Sequence, residues 1–553
     1  MTSIGIDLGT TNTCAAAVIN GEVVDLGNLL PSHVHWAGVD WRAGRHPESI
    51  YDTKRLIGRK YTAIPHNEVR GFTVTGDADN GIRVRTGEHE TSPEQVAAVI
   101  LSEVRRRAEA LVGPVVSAVI TVPAYFSEPC REATRAAAEI AGLEVLRLLQ
   151  EPTAAALAAG LTGRVLIWDM GGGTFDVALV DVHDNTYQVL ATAGDDSLGG
   201  RDLDEDLFLE LALQVHEADH IDICADPRLA RQALHACEEA KCRLSDVDTT
   251  HIAGFPNNMT RAQVNRACRR ILARAELAME SISDHLRACH PDHVVMVGGV
   301  SRIPYLREKI QERFGRVPVV VDPDRTVARG AALLANSFRG SDSVTLLDVT
   351  PLSLGIETAG RVVTRLVYRN TILPCSHTRT FFTNTNDQER VELNVYEGER
   401  HEALPSNVIA SFELSDLPLG PAGSVEIKVS FAVDRNGLLS VTAVAGNKQA
   451  LHCVRSRSRL SDAAIKLQAS EFRARDQLFL ENVNMRNTLE NTCTGTLAHI
   501  KEGSKLPEGT HRPLQEAIDP CLRFLLANPE APTSEYDARL TNLQAAIEQI
   551  MSN

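Results

Sequence analysis

The 553-residue chain contains no apolar run of membrane-spanning length, and Met1-Thr2-Ser3-Ile4 leads into a strand pattern without a charged leader. A membrane or secreted protein is therefore not expected, and cytoplasmic localisation is. Its eleven cysteines are scattered, odd in number and free of any C-x-x-C pair, so reduced thiols are expected rather than disulfides or zinc. Basic blocks are scarce as well. Net charge is −16, and the densest basic cluster, Arg105-Arg106-Arg107, falls inside a helical pattern, which argues against a nucleic-acid partner. With 43% hydrophobic and 23% charged residues, usage is that of globular proteins and wholesale disorder is excluded. The length calls for three or more packed units.

The chain is organised around Val165–Val177, an apolar run that breaks into Gly171-Gly172-Gly173 flanked by Asp169 and Asp176 and then turns apolar again. That reads as strand, phosphate-sized loop, strand. Consecutive glycines let backbone N–H groups converge on a phosphate. Asp169 and Asp176 suit Mg²⁺ held through water, and Thr174 adds a hydroxyl. A weaker copy, Ile4-Gly5-Ile6-Asp7-Leu8-Gly9-Thr10-Thr11-Asn12-Thr13, opens the chain. Two such hairpins suggest two lobes facing one nucleotide.

Between the hairpins, residues 28–47 read as irregular structure or short strands, and Tyr51–Gly58, taken alone, as one exposed basic helical turn. Ser92-Pro93-Glu94-Gln95 starts a helix with Val96, Ile100, Val104, Ala108 and Leu111 on one apolar face. A buried strand, Val115–Val122, runs into Pro123, and Ser127 is expected to cap the next helix. Further on, Glu238, Lys241 and Ser245 share a helical face, and the strand His293–Val297 opens into Gly298-Gly299-Val300-Ser301-Arg302. Arg339–Ser343 is a polar break followed by the apolar tether Val344–Leu347. Beyond Asp348 the apolar period is two, with an Asn436-Gly437 hairpin turn, and from about Leu460 it is helical again through Ile465, Phe472, Phe479 and Leu480 to Ile550.

These motifs resemble the 70-kDa heat-shock chaperone family. Seven carry the likeness in the family's order: Ile6–Asn12, Lys54–Arg59, Val122–Phe126, Glu151–Ala156, the triple-glycine hairpin, Val297–Pro304 and Asp348–Thr358. The resemblance implies a multidomain α/β + β + α architecture. Residues 1–340 would be a duplicated, actin-like ATPase domain, 341–347 an apolar linker, 348–455 an antiparallel β-sandwich for peptide and 456–553 an α-helical lid. ATP or ADP phosphates would lie between Gly9-Thr10-Thr11 with Asn12 and Gly171-Gly172-Gly173. Mg²⁺ would be held through waters near Asp7 and Asp169, with K⁺ a further candidate. Lys54, Glu151, Thr174 and Asp176 would position the attacking water, which moves Lys54 from a surface turn into the active site. Glu238, Lys241 and Ser245 would contact adenosine, with Gly298 and Gly299 beside it and Arg302 against the adenine face.

The resemblance also implies an output. Pro123 and Arg131 match the family's interdomain switch, Arg147 the position that engages a J-domain co-chaperone, and Val344, Leu346, Leu347 and Asp348 the linker that docks when ATP is bound. Ile356, Ala359, Val362, Phe381, Asn384, Val391 and Leu393 map onto the cleft for extended apolar segments of unfolded polypeptides. There are departures. Thr345 stands where the family has Leu, Cys242 where some members place a second stacking Arg, and Asn384 and Ala359 where the arch over the peptide is larger and apolar. The Asp7–Lys54 interval is short, residues 249–260 read as a trimmed hairpin, and the helical tail is compact, all features of a specialised, short bacterial-type paralogue. Which exchange factor serves it stays open. The rival readings are a sugar-kinase-type phosphotransferase and a holdase or regulator with a decayed ATPase cycle.

Overall fold

The computed structural model describes residues 2–38, 41–64, 72–77, 80–339, 344–446, 448–453, 481–482, 484–500, 507, 509–528 and 531–552. The expected linker positions 341–343, and the helical start at Leu460 with Ile465, Phe472, Phe479 and Leu480, lie outside them. The chain divides into two compact units, one of Met1–Gly355, Arg365–Gly398 and Pro405–Ile465, the other of Ile356–Thr364, Glu399–Leu404 and Lys466–Asn553.

Two sheets of like topology occupy the N-terminal part of the first unit. In lobe I, β1 (Thr2–Leu8), β2 (Asn12–Ile19) and β3 (Glu22–Asp25) form an antiparallel meander, and the short β4 (Leu30–Pro31) pairs with β2. Beside β1, β5 (Val115–Val122) and β6 (Glu144–Gln150) run parallel, giving the order β6-β5-β1-β2-β3. Lobe II repeats the plan with β7 (Gly163–Met170), β8 (Phe175–His183), β9 (Thr186–Asp195), β10 (His293–Val297) and β11 (Val319–Val320). One further strand, β12 (Thr345–Leu347), adds to the open edge of β9 in parallel, Tyr187 facing Leu346.

The central strands are apolar on both faces, as strands covered by helices on either side must be: Leu166, Ile167 and Trp168 are fully buried. Of the helices, α1 (Pro93–Val112), α2 (Glu128–Ile140) and α3 (Glu151–Ala159) precede lobe II, and α4 (Gly200–Asp219), α5 (Pro227–Arg243), α6 (Arg261–Met279) and α7 (Thr326–Ser337) follow its meander. The alanine-rich α7 lies close against both α3 and β1, because a Cβ at Gly330 would strike the backbone of Ala154 and one at Gly5 the backbone of Ala332. Truncating a core side chain here, such as Ile167→Ala, is worth about 2–5 kcal/mol.

The capping box of α1 is present, with Gln95 N donating to Ser92 Oγ at 3.2 Å and Ser92 N to Gln95 Oε1 at 3.2 Å. Two local expectations need correction. Leu111, in the last turn of α1, is 60% exposed and lies outside the buried face. Ser127 occupies the N-cap of α2, but its hydroxyl donates to Cys130 Sγ at 3.2 Å rather than accepting a backbone N–H.

Beyond Asp348, the first unit holds β13 (Cys375–Phe382), β14 (Arg390–Glu397), β15 (Val408–Ser415), β16 (Glu426–Val433), β17 (Leu439–Ala445) and β18 (Lys448–Cys453). One sheet runs β13-β16-β17-β18, all antiparallel, and β14 pairs antiparallel with β15. The period-two pattern is realised in β16 and β17, whose Ile427, Val429, Phe431, Val433, Val441 and Ala443 are buried between polar neighbours. In the second unit, a helical stretch over 484–500 packs with α8 (His511–Ala527) and α9 (Thr533–Ser552) around Leu489, Cys493, Ile518, Cys521 and Leu540. The cysteines whose side chains are described, among them Cys14, Cys130 and Cys493, are free. Among the described residues no helix is long and apolar enough to cross a membrane.

Candidate functional site

The two hairpin loops meet face to face. In lobe I, Asp7 pairs with Cys14 across the β1–β2 ladder, and in lobe II Asp169 lies directly opposite Asp176 across β7–β8. The loops touch, so that a Cβ on Gly172 would collide with the Thr11 hydroxyl and one on Gly173 would come within 2.5 Å of the Thr10 side chain. Only glycine fits there. A cavity of about 440 Å³ opens along this seam. Asp7, Gly9, Thr10, Thr11, Asn12, Lys54, Glu151, Asp169, Gly171, Gly172, Thr174, Glu238, Lys241, Ser245, Gly298, Gly299 and Arg302 all line it. Gly173 and Asp176 do not line it and stand just behind its wall.

The floor is crowded with carboxyl groups. Lys54 Nζ donates to Glu151 Oε1 at 2.5 Å, both side chains 8% exposed, and Thr121 Oγ1 donates to Asp7 Oδ1 at 3.2 Å. Burial, then the charge of Glu151, pushes the Asp7 carboxyl up to about 7. The same two causes hold Asp169 and Asp176 well above the usual carboxylate range. Burial opposes the Lys54 ammonium, but the Glu151 and Asp7 carboxylates outweigh it and raise its pKa. Four carboxylates around one ammonium leave room for a cation. Among the described residues no three His, Cys, Asp or Glu groups converge to hold a metal directly; carboxyl groups facing a cavity in this way suit a divalent ion that keeps its water shell.

Lys54 reaches the floor from a 3₁₀ turn, Thr53–Arg55. This corrects the reading of Tyr51–Gly58 as an exposed basic turn, since Arg55 and Arg59 are only 6% and 4% exposed. At the other end of the cavity, Lys241 Nζ donates to Asp204 at 2.7 Å and to Gly200 O at 3.0 Å. Glu238, Lys241 and Cys242 project from α5, while Ser245 lies in the turn after it. Gly298 has φ of 80°, where a Cβ would also meet the Met170 carbonyl, and the following turn carries Arg302, which pairs with Asp324 at 2.5 Å. A larger space of about 920 Å³ continues from this end, bridged where Arg45 Nη1 meets His235 Nε2 at 2.9 Å.

The expected switch residues are not among those that line the cavity. Pro123 ends β5, and the buried Arg131 guanidinium donates to Ala124 O and Phe126 O, each at 3.1 Å, holding that turn. Burial lowers the pKa of Arg131 and of Arg147, and Asp348 faces both. Gln150 donates to Val349 O at 3.1 Å, and the Asn436 side chain accepts from Leu148 N at 3.2 Å, so the Asn436-Gly437 turn also contacts lobe I. Val344, Leu346 and Leu347 are half-buried at the edge of β9 and Thr345 is exposed, donating from its N–H to Asn185 O at 3.0 Å.

Of the expected peptide-contacting residues, Phe381 on β13 and Val391 on β14 are half-buried, Leu393 is buried and Asn384 is exposed. These belong to the first unit. Ile356, Ala359 and Val362 belong to the second, where Ile356 is buried and Val362 O accepts from Thr358 Oγ1 at 2.9 Å.

Sequence reasoning missed several residues the geometry singles out. Tyr125 N donates to Asp176 Oδ1 at 3.3 Å, and Arg369 Nη2 donates to Tyr125 Oη at 3.0 Å, to Thr192 O at 3.1 Å and to Ser281 Oγ at 3.1 Å. Tyr125 was in view inside the Val122–Phe126 motif, but nothing local marks Arg369. Ser32, Asp202 and Asp324 were also passed over, since their partners are remote in sequence.

Residues 3–553 match the family model described as Hsp70 protein. The chain is 35% identical over 612 aligned residues to heat shock cognate 70 kDa protein 3 of Dictyostelium discoideum, covering 100% of this chain and 97% of that protein. The chain therefore belongs to the Hsp70 family, whose members are ATPases, and is an ATP-dependent molecular chaperone.

Proposed function

We propose that the cavity between the hairpin loops takes ATP with Mg²⁺, and that hydrolysis there controls capture and release of extended apolar peptides by the β segment. In an actin-like reading of the duplicated lobes, backbone N–H groups of Gly9–Thr11 and of Gly172–Thr174 hold the β- and γ-phosphates. Lys54, oriented by Glu151, donates toward the γ-phosphate, and Thr174 and Asp176 align the attacking water. Mg²⁺, held through water by Asp7 and Asp169, supplies neutralisation of phosphate charge. Glu238, Lys241, Ser245 and Arg302 bind adenosine. Arg147, which lies against Asp348, is the J-domain contact, and Phe381, Val391 and Leu393 are among the peptide contacts.

The observation that carries this reading is the hydrogen-bonded chain from Asp176 through Tyr125 to Arg369, which leads from the cavity wall into the β segment. Two sites joined by such a chain can share a coupling free energy, and that coupling is reciprocal. Single-turnover ATP hydrolysis by the full chain, with and without an extended apolar peptide and a J-domain protein, tests it. Both partners are expected to accelerate hydrolysis, and Lys54→Ala and Asp169→Ala to slow it by about 10²-fold or more. Wild type no faster than these variants would overturn the site; normal hydrolysis deaf to both partners would overturn the coupling.

A further inference from the structure

The Gly171–Gly173 loop has no side chains with which to orient itself, so its peptide planes are set by whatever its carbonyls bond. In a trans peptide the carbonyl of one residue points opposite to the N–H of the next, so each carbonyl held from behind turns one N–H forward. Gly171 O accepts from Gly200 N at 3.0 Å and Gly172 O from Arg201 N at 2.7 Å. Both donors belong to the first turn of α4, in the same lobe. The third carbonyl is held differently. Gly173 O accepts from Arg55 Nε at 2.9 Å, and Arg55 sits on the Thr53–Arg55 turn of lobe I, next to Lys54.

Arg55 is fixed at its other end too. Its Nη2 donates to Asp202 Oδ2 at 2.6 Å, and that same oxygen accepts from Gly199 N at 2.8 Å at the start of α4. Asp202 Oδ1 in turn accepts from Arg274 at 3.3 Å. Four residues further along, Arg59 makes a second buried reach across the lobes, to Asp196 at 2.7 Å. The guanidinium of Arg55 thus spans the seam with two directed bonds, which a planar fork can do and an ammonium cannot.

We infer that Arg55 is a positioning residue that makes the Thr174 N–H, and with it the γ-phosphate end of the site, correct only when the lobes are closed. This rests on reading the glycine loop as the phosphate site. The Gly172 and Gly173 N–H groups are set within lobe II and serve in either state, so ATP binding survives the loss of Arg55. The Thr174 plane is set across the seam, so hydrolysis does not. Lobe closure and chemistry are tied through one side chain.

The test is ATP affinity by calorimetry and single-turnover hydrolysis for Arg55→Lys, Arg55→Gln and Asp202→Asn, beside Lys54→Ala. Arg55→Lys and Arg55→Gln should lower the hydrolysis rate at least tenfold while the ATP Kd stays within about threefold. Asp202→Asn, which weakens the far anchor, should fall between these and wild type, and combining it with Arg55→Gln should add little. If Arg55→Gln fails to fold, Arg55→Lys and Asp202→Asn decide. An unchanged rate, or a rate and an affinity that fall by the same factor, overturns the inference while a slow Lys54→Ala leaves the site standing. If Lys54→Ala also hydrolyses normally, the reading of the site itself has failed.

Discussion

The two phosphate-facing loops have the same plan and different supports. In lobe I, Gly9 O accepts from Ser32 Oγ at 2.7 Å and Thr11 O from Ser32 N at 2.8 Å, with Ser32 Oγ also bonded to Thr13 Oγ1 at 2.9 Å. Each of these three bonds comes from the same lobe. The lobe II loop has two such supports, and its third crosses from Arg55. A loop anchored at home is a fixed platform, whereas one that borrows an anchor responds to the distance between the lobes. Asp176, the second residue of β8 after that loop, is also the carboxylate bonded to Tyr125, so the responsive loop is the one wired to the β segment.

Substitutions can break that comparison from either side. The largest effect is expected at the seam: Gly173→Ala places a methyl against Thr10 and should lower single-turnover hydrolysis by about 10²–10³-fold with little change in melting temperature. Gly9→Ala, whose Cβ would strike the Asn12 carbonyl in the same lobe, should lower the melting temperature of the nucleotide-free protein instead. Equal thermal loss in both would remove the distinction. Next in size, Arg369→Ala removes three bonds to the ATPase lobes. Unstimulated hydrolysis should persist while peptide stimulation drops, within the about 5–150-fold range usual for coupled sites.

A smaller effect is expected from pH in the metal-free and nucleotide-free protein. With Asp7 raised to about 7, the folded state holds a proton that the unfolded chain releases above about pH 4. The Asp7 contribution to stability should therefore fall as pH rises from about 4 to about 7, by at most about 4 kcal/mol, and Asp169 and Asp176, raised by the same causes, add to the fall in the same direction. Chemical denaturation across that window should show the slope, and Asp7→Asn should reduce it; a slope of opposite sign would refute the assignment. The smallest effect is at Ser32→Ala, which should cost about 0.5–1.5 kcal/mol of stability and, unlike Arg55→Lys, leave the hydrolysis rate near wild type in a single-turnover assay.

Much of this was legible from local pattern. A glycine run between apolar strands marked the lobe II loop and Gly9 with the following threonines its weaker copy, and carboxylates close to each loop marked Asp7, Asp169 and Asp176, because those signals lie within about ten residues. Lys54 needed a family resemblance, since on its own Lys54-Arg55 reads as a solvated turn. Arg55 was written in the same motif yet carried no sign of its role, for its partners Gly173 and Asp202 are 118 and 147 residues away. Arg369 was invisible for the same reason, lying 244 residues from Tyr125. Ser127 and Leu111 show the opposite failure. There the local rule was sound, but a nearby thiol captured the hydroxyl and the helix ran past its partner surface. Local chemistry thus disclosed what each loop can bind and hid which loop listens to the other lobe.

The most direct measurement is amide hydrogen exchange on ATP-saturated protein, comparing wild type with Arg55→Lys over the peptides that contain Gly9–Thr11 and Gly171–Thr174. The account predicts faster exchange in the Gly171–Thr174 stretch of the variant and no change at Gly9–Thr11. Equal change in both stretches, or in neither, would contradict it.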